Sequence, residues 1–473
     1  MNRIKNSVVL LAVFSLVGVV KAQNIEEGKK FFCAEKYKSA KTIFSQLVAS
    51  NPNNIDAVYW LGLTEIEMDD VASAKTLYQN TLMANSNAPL LIAAMGHIAL
   101  HEGNTQDARQ RFETAISISQ AKNVAVLNAI GYANADLKNG DPDYAIDKLK
   151  LATTLKGMKD PDVWINLGDA YRKKYDGGSA QSAYENALYL NKNCARASFK
   201  IGKIYQTQGP SQEDIFMRYY NEAIQKDATF APVYYQLYDY FYRRDVNKAA
   251  DYLHKYIEYA DADPKNCYYL ASLYYASGKF AESITKSDEC FQKDGSQAYV
   301  KLYGLKAFSY DKLGDSVNAK KYFEEYINRQ DPKNLGPTDY STYAKNLLKF
   351  PGNDSLAGIF YDKAIAADTT EIGKLDIIKT VAAGYEAQKN YLAAAKWYKK
   401  VLGVKKNINN VDLYFAGFNF NRGGDYKSSI EVFDQYTQKY PEESFGYYMN
   451  ARNYIKLDSS DATGKGLANY LKI

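Results

Sequence analysis

The chain has 473 residues, of which 46% are hydrophobic, 43 are tyrosine and only 11 are proline. The formal net charge is +5 with acidic and basic residues interspersed, so the sequence has no basic stripe and nucleic-acid binding is not expected. Its four cysteines are too few for a disulfide scaffold, and its three histidines offer little capacity for acid-base catalysis near neutral pH.

The N-terminus has the features of a signal peptide. Arg3 and Lys5 precede an apolar run at 8–20 and a small-residue cleavage site that ends at Ala22. The run is short for a membrane span, and an uncleaved membrane anchor is the alternative. The sequence therefore predicts that residues 1–22 are removed and that the mature protein is soluble and exported, with no membrane insertion. The short signal resembles bacterial ones, which implies a periplasmic or extracellular location.

Helical hairpins follow the signal peptide, and the clearest of them lies near the middle of the chain. Its first helix has one apolar side, formed by Trp164, Leu167, Gly168 and Tyr171. After a turn at 176–178, its second helix has a matching side, formed by Ala180, Tyr184 and Ala187. The small residues allow the two helices to approach closely, and the large rings fill the volume around the approach.

This hairpin recurs with a constant period. Gly28, Gly62 and Gly96 lie 34 residues apart, and further units continue in phase as far as Tyr454. The pattern closely resembles the tetratricopeptide repeat (TPR), which has this length and places Trp, Leu, Gly and Tyr on the first helix and Ala, an aromatic residue and Ala on the second. The resemblance implies an all-α fold, a right-handed α-solenoid of about twelve TPR helix-turn-helix units.

The array has weaker stretches that suggest its subdivision. The seventh unit has Leu237 and Tyr238 where other units have Gly, which predicts a wider helix crossing. A long Gly- and Pro-containing connection begins at Leu335 and is the candidate boundary. We therefore predict about nine repeats at 23–334, then about three more repeats and a terminal helical segment at 335–473. The last apolar face is expected to fold back on the final repeat, a covering partner being the alternative; it comprises Leu467, Tyr470, Leu471 and Ile473.

No catalytic, metal or cofactor site is predicted. His97 and His101 point to the same side of one helix, and Glu67 and Asp136 occupy equivalent positions in the flanking repeats. Stacked helices are about 8–10 Å apart, so these side chains would meet one ion only in favourable rotamers, and solvated or hydrogen-bonded histidines are the preferred interpretation. The sequence has neither a Gly-rich phosphate loop after a strand nor a Gly-x-Ser-x-Gly elbow. We expect a protein that is not an enzyme.

Two cysteines are placed so that they could pair. Cys267 lies near the start of the first helix of the eighth hairpin, and Cys290 lies near the end of its second helix. Antiparallel helices bring such positions side by side, and an oxidising compartment permits a disulfide between them. Two small buried thiols are the alternative.

The TPR resemblance places ligands on the concave surface that the first helices line. The Lys and Asn with which chaperone-adaptor TPRs hold a C-terminal carboxylate are missing from the corresponding pairs, such as Ile165 with Asp169. Aromatic residues in the middle of the chain occupy inner positions suited to an extended peptide: Phe199, Tyr235, Tyr242, Tyr268, Tyr275 and Phe308. A second aromatic patch near the C-terminus comprises Tyr414, Phe418, Phe445 and Tyr448. The alternative is that these rings only pack the stack.

The predicted function is that of an exported TPR scaffold that mediates protein-protein interaction, a chaperone-like adaptor for cell-envelope or secreted proteins. Its partners would be proteins or extended peptide segments. The alternative is a carbohydrate or peptidoglycan binder that uses the aromatic groove, since stacked tyrosines also bind sugars. The sequence leaves partner identity, pathway and oligomeric state open.

Overall fold

The computed structural model describes residues 25–473, so the predicted signal peptide at 1–22 lies outside the described residues. Between residues 25 and 473 the regular elements are α-helices with three short 3-10 turns, and no strand occurs. Successive helices pair into antiparallel hairpins, twelve of them in this part of the chain, followed by two further helices. The predicted all-α array of about twelve helix-turn-helix units is thereby confirmed.

The helices form two compact units, which meet at Asn266 and Cys267 in the sequence. The helices of the first unit are α1 (25–33), α2 (Tyr37–Ser50), α3 (Ile55–Glu67), α4 (Val71–Ala84), α5 (Pro89–His101), α6 (Thr105–Ile118), α7 (Val124–Asp136), α8 (Pro142–Thr154), α9 (Pro161–Lys173), α10 (Gly177–Leu190), α11 (Ala195–Thr207), α12 (Glu213–Lys226), α13 (Ala231–Phe241) and α14 (Val246–Tyr259). The division falls within α15 (Pro264–Ala276).

The helices of the second unit after α15 are α16 (Phe280–Asp294), α17 (Lys301–Leu313), α18 (Ser316–Arg329), α19 (Pro337–Leu347), α20 (Asp354–Ala367), α21 (Glu371–Ala387), α22 (Tyr391–Val404), α23 (Asn410–Arg422), α24 (Tyr426–Lys439), α25 (Ser444–Leu457) and α26 (Lys465–Tyr470). The boundary predicted at residue 335 lies just before α19, inside this unit. It stays a prediction. Between residues 25 and 473, no helix combines the length and the apolar character that a membrane span requires.

A glycine packed against an aromatic ring joins the two helices of most hairpins. A Cβ atom on Gly168 would lie 2.3 Å from Cε1 of Tyr184, whose ring is fully buried against the first helix. Only glycine leaves room for the ring, which explains why glycines recur with the period of the hairpin. The same contact, with a ring or with leucine, is made by Gly28 with Phe44, Gly62 with Tyr78, Gly96 with Phe112, Gly131 with Leu149, Gly202 with Tyr220, Gly304 with Tyr326 and Gly417 with Phe433.

Two of the hairpins without this glycine, the seventh and the eighth, bury no aromatic ring on the second helix. In the seventh hairpin, buried Leu237 faces a second helix whose buried residues are Ala249 and Leu253. In the eighth, the hydroxyl of Ser283 donates a hydrogen bond to the carbonyl oxygen of Ala271 at 3.0 Å. In these two hairpins the loss of glycine is accompanied by a smaller side-chain volume on the second helix. The wider crossing predicted for the seventh hairpin stays a prediction.

A disulfide joins the two helices of the eighth hairpin. Cys267 and Cys290 are bonded, with their Cα atoms 5.8 Å apart, and Cys290 is fully buried. Next to this bond, the second helix has fully buried Ser287, whose hydroxyl donates to the carbonyl oxygen of Ser283 at 2.8 Å. The covalent link thus lies in a hairpin whose second helix buries Ser283, Ile284, Ser287 and Cys290 and no aromatic ring.

The C-terminal apolar face is not buried. Helix α26 lies against α25 through Gly466, which is next to Ile455. Leu467 is 59% exposed and Leu471 is 79% exposed, and Tyr470 is also exposed. The expectation that this face folds back on the last repeat is therefore wrong for its apolar side chains. The reason is that the six-residue helix turns its glycine, and not its leucines, toward α25.

The glycine-ring contact predicts opposite effects for two Gly→Ala substitutions. Gly168→Ala should lower the free energy of unfolding by about 1–3 kcal/mol, because the added methyl group overlaps the Tyr184 ring. Gly384→Ala is the control, since a Cβ there would meet nothing within 4 Å, and it should raise the free energy of unfolding by about 0.5–1 kcal/mol. Thermal and urea melts followed by circular dichroism measure both. Destabilisation of the same size in the two variants would contradict the close packing.

The disulfide predicts a redox-dependent stability. Reduction should lower the free energy of unfolding by about 3 kcal/mol, the usual entropic contribution of a loop of this length. The eighth hairpin should then melt before the other hairpins. Thiol labelling of the unfolded, unreduced protein should count only Cys33 and Cys194. Labelling of Cys267 or Cys290 in that sample would mean that the bond does not form.

A candidate binding chamber in the first unit

The first hairpin is hydrogen-bonded to the end of the seventh. Helix α2 has no side-chain cap of its own at Lys36. Instead, the carboxylate of Asp261 accepts hydrogen bonds from the backbone N–H of Lys38 at 2.7 Å and of Ser39 at 3.1 Å, and from the Ser39 hydroxyl at 2.5 Å. Lys38 Nζ also donates to the carbonyl oxygen of Ala262 at 2.6 Å. We call these four residues the Asp261 latch; it caps α2 from 222 residues away in the sequence.

Helix α1 adds further contacts to the same closure. Lys30 Nζ lies 3.8 Å from a carboxylate oxygen of Asp227, just before α13. The Cys33 thiol lies 3.7 Å from the Asp162 carboxylate, and Arg196 Nη1 lies 3.8 Å from the Cys33 sulfur and 3.3 Å from Asp162. The first hairpin of this unit therefore contacts α9, α11 and the segment before α13, so the seven hairpins close on one another.

Cys33 and Arg196 of this closure also line a partly open polar chamber of about 570 Å³. Its walls come from the first helices of successive hairpins, whose inner positions are mostly polar. The charged residues that line it are Glu35, Glu67, Asp136, Asp169, Arg172, Lys173, Arg196, Lys200 and Lys203. The volume lies within the range of ligand-binding cavities, and the lining is far more polar than a packed core.

Most of the positive charges in the chamber are already paired. Lys200 Nζ lies 2.7 Å from both carboxylate oxygens of Asp169, and Lys173 donates to three main-chain carbonyls at the end of α7. Arg172 and Lys203 differ, since no carboxylate of the described chain lies within ion-pair distance of either. Burial lowers the pKa of Lys203, and the nearby charge of Arg172 lowers it further. These two cations therefore form an unneutralised positive wall.

The acidic side chains Glu67 and Asp136 belong to the same lining. Tyr132 donates its hydroxyl hydrogen to Glu67 at 2.5 Å, and Tyr37 donates to the other Glu67 oxygen at 3.4 Å. Burial raises the pKa of Glu67, and the proximity of Asp136 adds to the shift. Burial also raises the pKa of Asp136, with a contribution from Asp169. Across residues 25–473, neither Glu67 nor Asp136 has a cation within ion-pair distance.

One buried amide in the same lining has an unused acceptor. Asn166 is 4% exposed, and its Nδ2 donates to Asn128 Oδ1 at 2.8 Å. That bond orients the amide and leaves Asn166 Oδ1 with no hydrogen-bond partner in the described chain. A buried oxygen without a donor is costly, so this atom is suited to accept a hydrogen bond from a ligand.

The central aromatic residues predicted to bind peptide lie in both units. Phe199 is 6% exposed, lines the chamber, and packs against Phe230 with ring centroids 5.6 Å apart. Tyr235 and Tyr242 are half-buried and both contact Tyr238, at 5.9 and 5.7 Å. In the second unit the remaining three each contact a neighbouring ring, namely Tyr268 with Tyr299, Tyr275 with Phe280 and Phe308 with Phe323. Their role in binding stays a prediction.

Three of the four residues of the second aromatic patch are in contact within the second unit. Tyr414 stacks on Phe418 at 5.2 Å with an interplanar angle of 13°, and it contacts Phe445 at 5.4 Å. Tyr448 is 38% exposed, and its hydroxyl accepts a hydrogen bond from Arg452 at 3.1 Å. The patch therefore exists as a surface feature, and its role in binding stays a prediction.

The histidine pair is not part of a metal-binding group in the described chain. His97 is buried, and its ring lies 5.3 Å from that of His101. Burial lowers the pKa of His97 to about 3, with a smaller contribution from His101. Among the described residues, no cluster of three or more His, Cys, Asp or Glu side chains is arranged to hold a metal ion.

Sequence reasoning did not identify the charged chamber. From the sequence, Glu67 and Asp136 are candidates only for metal binding, and Asp169 is one of the positions tested for carboxylate binding. Arg172 and Lys203 are not predicted to bind a ligand, since the predicted positions are aromatic. The available signal was the run of charged residues at inner positions of the fifth and sixth hairpins. These charged residues line a chamber only because residues of the first hairpin lie across from them in the folded unit.

Comparison with known proteins identifies the hairpin. Residues 161–194, which include α9 and α10, and residues 300–331, which include α17 and α18, match the sequence model of the tetratricopeptide repeat family. The chain carries tetratricopeptide repeats. The two matched TPRs belong one to each unit, and the glycine-ring contact described above occurs in both.

The chain is also similar to one curated protein and to several solved structures. Over 186 residues the chain is 25% identical to the anaphase-promoting complex subunit cut9 of Schizosaccharomyces pombe (strain 972), which covers 38% of this chain and 27% of that protein. The chain thus spans about a quarter of the length of that curated relative. Yeast Tom70 is a similar solved structure, with 14% identity, 87% of this chain and 97% of that chain covered, and a TM-score of 0.39.

Another similar solved structure is the APC/C hetero-tetramer Cut9–Hcn1, with 12% identity, 94% of this chain and 91% of that chain covered, and a TM-score of 0.31. A third is the C-terminal part of a TPR repeat-containing protein from Cytophaga hutchinsonii, with 18% identity, 52% and 99% covered, and a TM-score of 0.30. All three TM-scores lie below 0.5, so no binding site is transferred from these structures to this chain.

The Asp261 latch predicts a long-range effect of a single substitution. Asp261→Ala should speed amide hydrogen exchange at Lys38 and Ser39 by about fivefold, because a lost helix cap costs about 1 kcal/mol. Asp176→Ala is the matched control, since Asp176 caps its own helix α10 through the N–H of Ser179. It should change exchange at the start of α10 and leave α2 unaffected. Exchange at Lys38 and Ser39 that is unchanged in Asp261→Ala would contradict the latch.

Proposed function

We propose that the protein is a TPR scaffold that binds other proteins, and that the chamber of its first unit holds an acidic segment of a partner polypeptide. The observation that carries this proposal is the positive wall of Arg172 and Lys203, which has no carboxylate partner in the described chain. A partner carboxylate would supply the missing negative charge. Protein-protein interaction is also the role that TPR arrays commonly have.

The physical argument concerns the energy of charges held out of bulk water. Two like charges in a partly enclosed space repel each other, and the lowered pKa of Lys203 reflects that repulsion as well as burial. A ligand carboxylate relieves the repulsion and can accept two hydrogen bonds from the Arg172 guanidinium. Phe199, whose ring lies 5.5 Å from Lys203 Nζ, offers an apolar wall beside the charge. An acidic segment with interspersed small apolar residues therefore fits this wall best.

We also propose that the protein is exported and acts as a chaperone-like adaptor for cell-envelope or secreted proteins, in a periplasm or outside the cell. The charged start, apolar run and small-residue cleavage site of residues 1–22 support export. The disulfide between Cys267 and Cys290 fits an oxidising compartment. N-terminal sequencing of the protein recovered from its native cells tests this part, and an intact Met1 would contradict it.

The second aromatic patch supports a second candidate function, carbohydrate or peptidoglycan binding. Tyr414 and Phe418 present nearly parallel rings, the arrangement on which sugar faces stack, and Tyr448 with Arg452 adds hydrogen-bonding groups at the exposed side. A glycan array probed with the protein and with its Tyr414→Ala/Tyr448→Ala variant tests this function. Signals that are the same for both proteins would count against it.

Peptides with blocked ends test binding in the chamber. We expect a capped peptide of alternating glutamate and alanine to bind more tightly than its glutamine and lysine counterparts. The double variant Arg172→Met/Lys203→Met should weaken binding of the acidic peptide by about tenfold, or about 1.4 kcal/mol. Fluorescence anisotropy at low salt measures the dissociation constants, and circular dichroism verifies the fold.

The control variant Lys192→Met/Arg218→Met makes the same change of net charge at exposed positions outside the chamber lining. It should alter binding less than twofold, since long-range attraction alone is largely screened. Equal weakening by both double variants would indicate non-specific attraction and not a site. Equal affinity for the acidic and glutamine peptides would refute the proposal.

A further inference from the structure

We propose that Glu67, Asp136 and Asn166 form a subsite in the chamber for a primary ammonium group of the bound segment. The inference rests on the proposed function, because it concerns the same chamber. It adds a second, oppositely charged group to the ligand. The subsite lies on a different set of side chains from the positive wall, so the two can be tested separately.

Three side chains of the chamber lining contribute unused acceptor capacity to this subsite. Each Glu67 oxygen accepts one tyrosine hydroxyl and retains a second lone pair. The Asp136 side chain makes no hydrogen bond within residues 25–473, and Asn166 Oδ1 is buried without a partner. An ammonium group carries three donors and no acceptor, so it matches a set of acceptors contributed by several residues.

The lysines already present in the chamber do not supply this charge. Lys173 Nζ is held by three main-chain carbonyls, among them those of Asn134 at 2.8 Å and Gly140 at 2.9 Å. Lys200 is held by both oxygens of Asp169. Moving either lysine to the subsite would leave a buried partner unsatisfied, at a cost larger than an ordinary hydrogen bond contributes. Arg196, Lys173 and Lys200 act on Glu67 and Asp136 only at longer range, so the place of a directly bonded cation is left to a ligand.

A metal ion is a poorer match than an ammonium group. The described chain has no group of three or more His, Cys, Asp or Glu side chains placed to coordinate one ion. Glu67 is surrounded instead by the hydroxyls of Tyr37 and Tyr132. Burial raises the pKa values of Glu67 and Asp136, and a neighbouring carboxylate adds to each shift, Asp136 for Glu67 and Asp169 for Asp136. A bound cation would offset that repulsion.

The ammonium group has two possible sources in a polypeptide, a lysine side chain or a free amino terminus. Both share the chemistry that the subsite recognises. The test therefore uses the capped glutamate-alanine peptide as a scaffold and adds one amine in each of two forms. One probe carries a lysine and is compared with its acetyl-lysine twin; the other has a free amino terminus and is compared with its acetylated twin.

We expect one of these two amines to increase affinity by about tenfold over its acetylated twin. The isosteric variant Glu67→Gln/Asp136→Asn should abolish that difference and retain binding of the fully capped acidic peptide. The control Glu113→Gln/Asp147→Asn should keep the difference. Glu113 is a fair match because it accepts the Tyr144 hydroxyl at 2.8 Å, as Glu67 accepts Tyr132, and neither control residue lines the chamber.

Two results would overturn the inference. One is equal affinity of the natural protein for both amines and their acetylated twins. The other is a preference for amines that survives in Glu67→Gln/Asp136→Asn. Should that variant fail to fold, Asp136→Asn alone replaces it, since Asp136 makes no side-chain hydrogen bond that the substitution could remove. Loss of binding by the capped acidic peptide in Arg172→Met/Lys203→Met reports on the proposed function alone.

Discussion

The contact between a glycine of one helix and a ring of the next underlies the rest of this structure. Because Gly168 has no side chain, the Tyr184 ring lies directly on the backbone of α9, and the two helices approach as a rigid pair. The same pair recurs in most of the hairpins. A larger residue is not tolerated in place of the glycine, because the ring fills the space that its side chain would need. The eighth hairpin replaces this contact with a covalent one between Cys267 and Cys290.

Several charged side chains on the inner face of the first unit are paired with each other, and a few are not. Asp169 neutralises Lys200, and Asp162 neutralises Arg196, so most of the lining resembles a structural network. The groups that remain without an ion pair, Arg172 and Lys203 in one set and Glu67 and Asp136 in the other, have opposite signs. In a partly enclosed space such charges interact more strongly than on an open surface, because less water screens them. This is the physical basis for treating the chamber as a binding site and the aromatic rings around it as its walls.

The Asp261 latch connects the stability of α2 to the access of a ligand to the chamber. Asp261 serves as the helix cap that Lys36 cannot provide, so the first turn of α2 receives its side-chain cap from the other end of the first unit. The chamber and the first hairpin are therefore coupled, since the same closure that caps α2 also places α1 across the chamber wall. A partner segment that enters the chamber competes with these contacts, which are polar and few.

The sequence by itself determined the hairpins, because the residues that form each one lie within a single repeat. The spacing of Gly28, Gly62 and Gly96 and the ring positions opposite them are local features, and the twelve hairpins follow from them. The sequence also placed Cys267 and Cys290 side by side, but it left bonded and free thiols as alternatives. Only the tertiary structure decided that Ser39 meets Asp261 and that Glu67, Asp136, Asn166, Arg172 and Lys203 share one chamber. These residues come together through the summed rotation of seven hairpins, and a small change in each crossing would separate them. No local pattern encodes that sum.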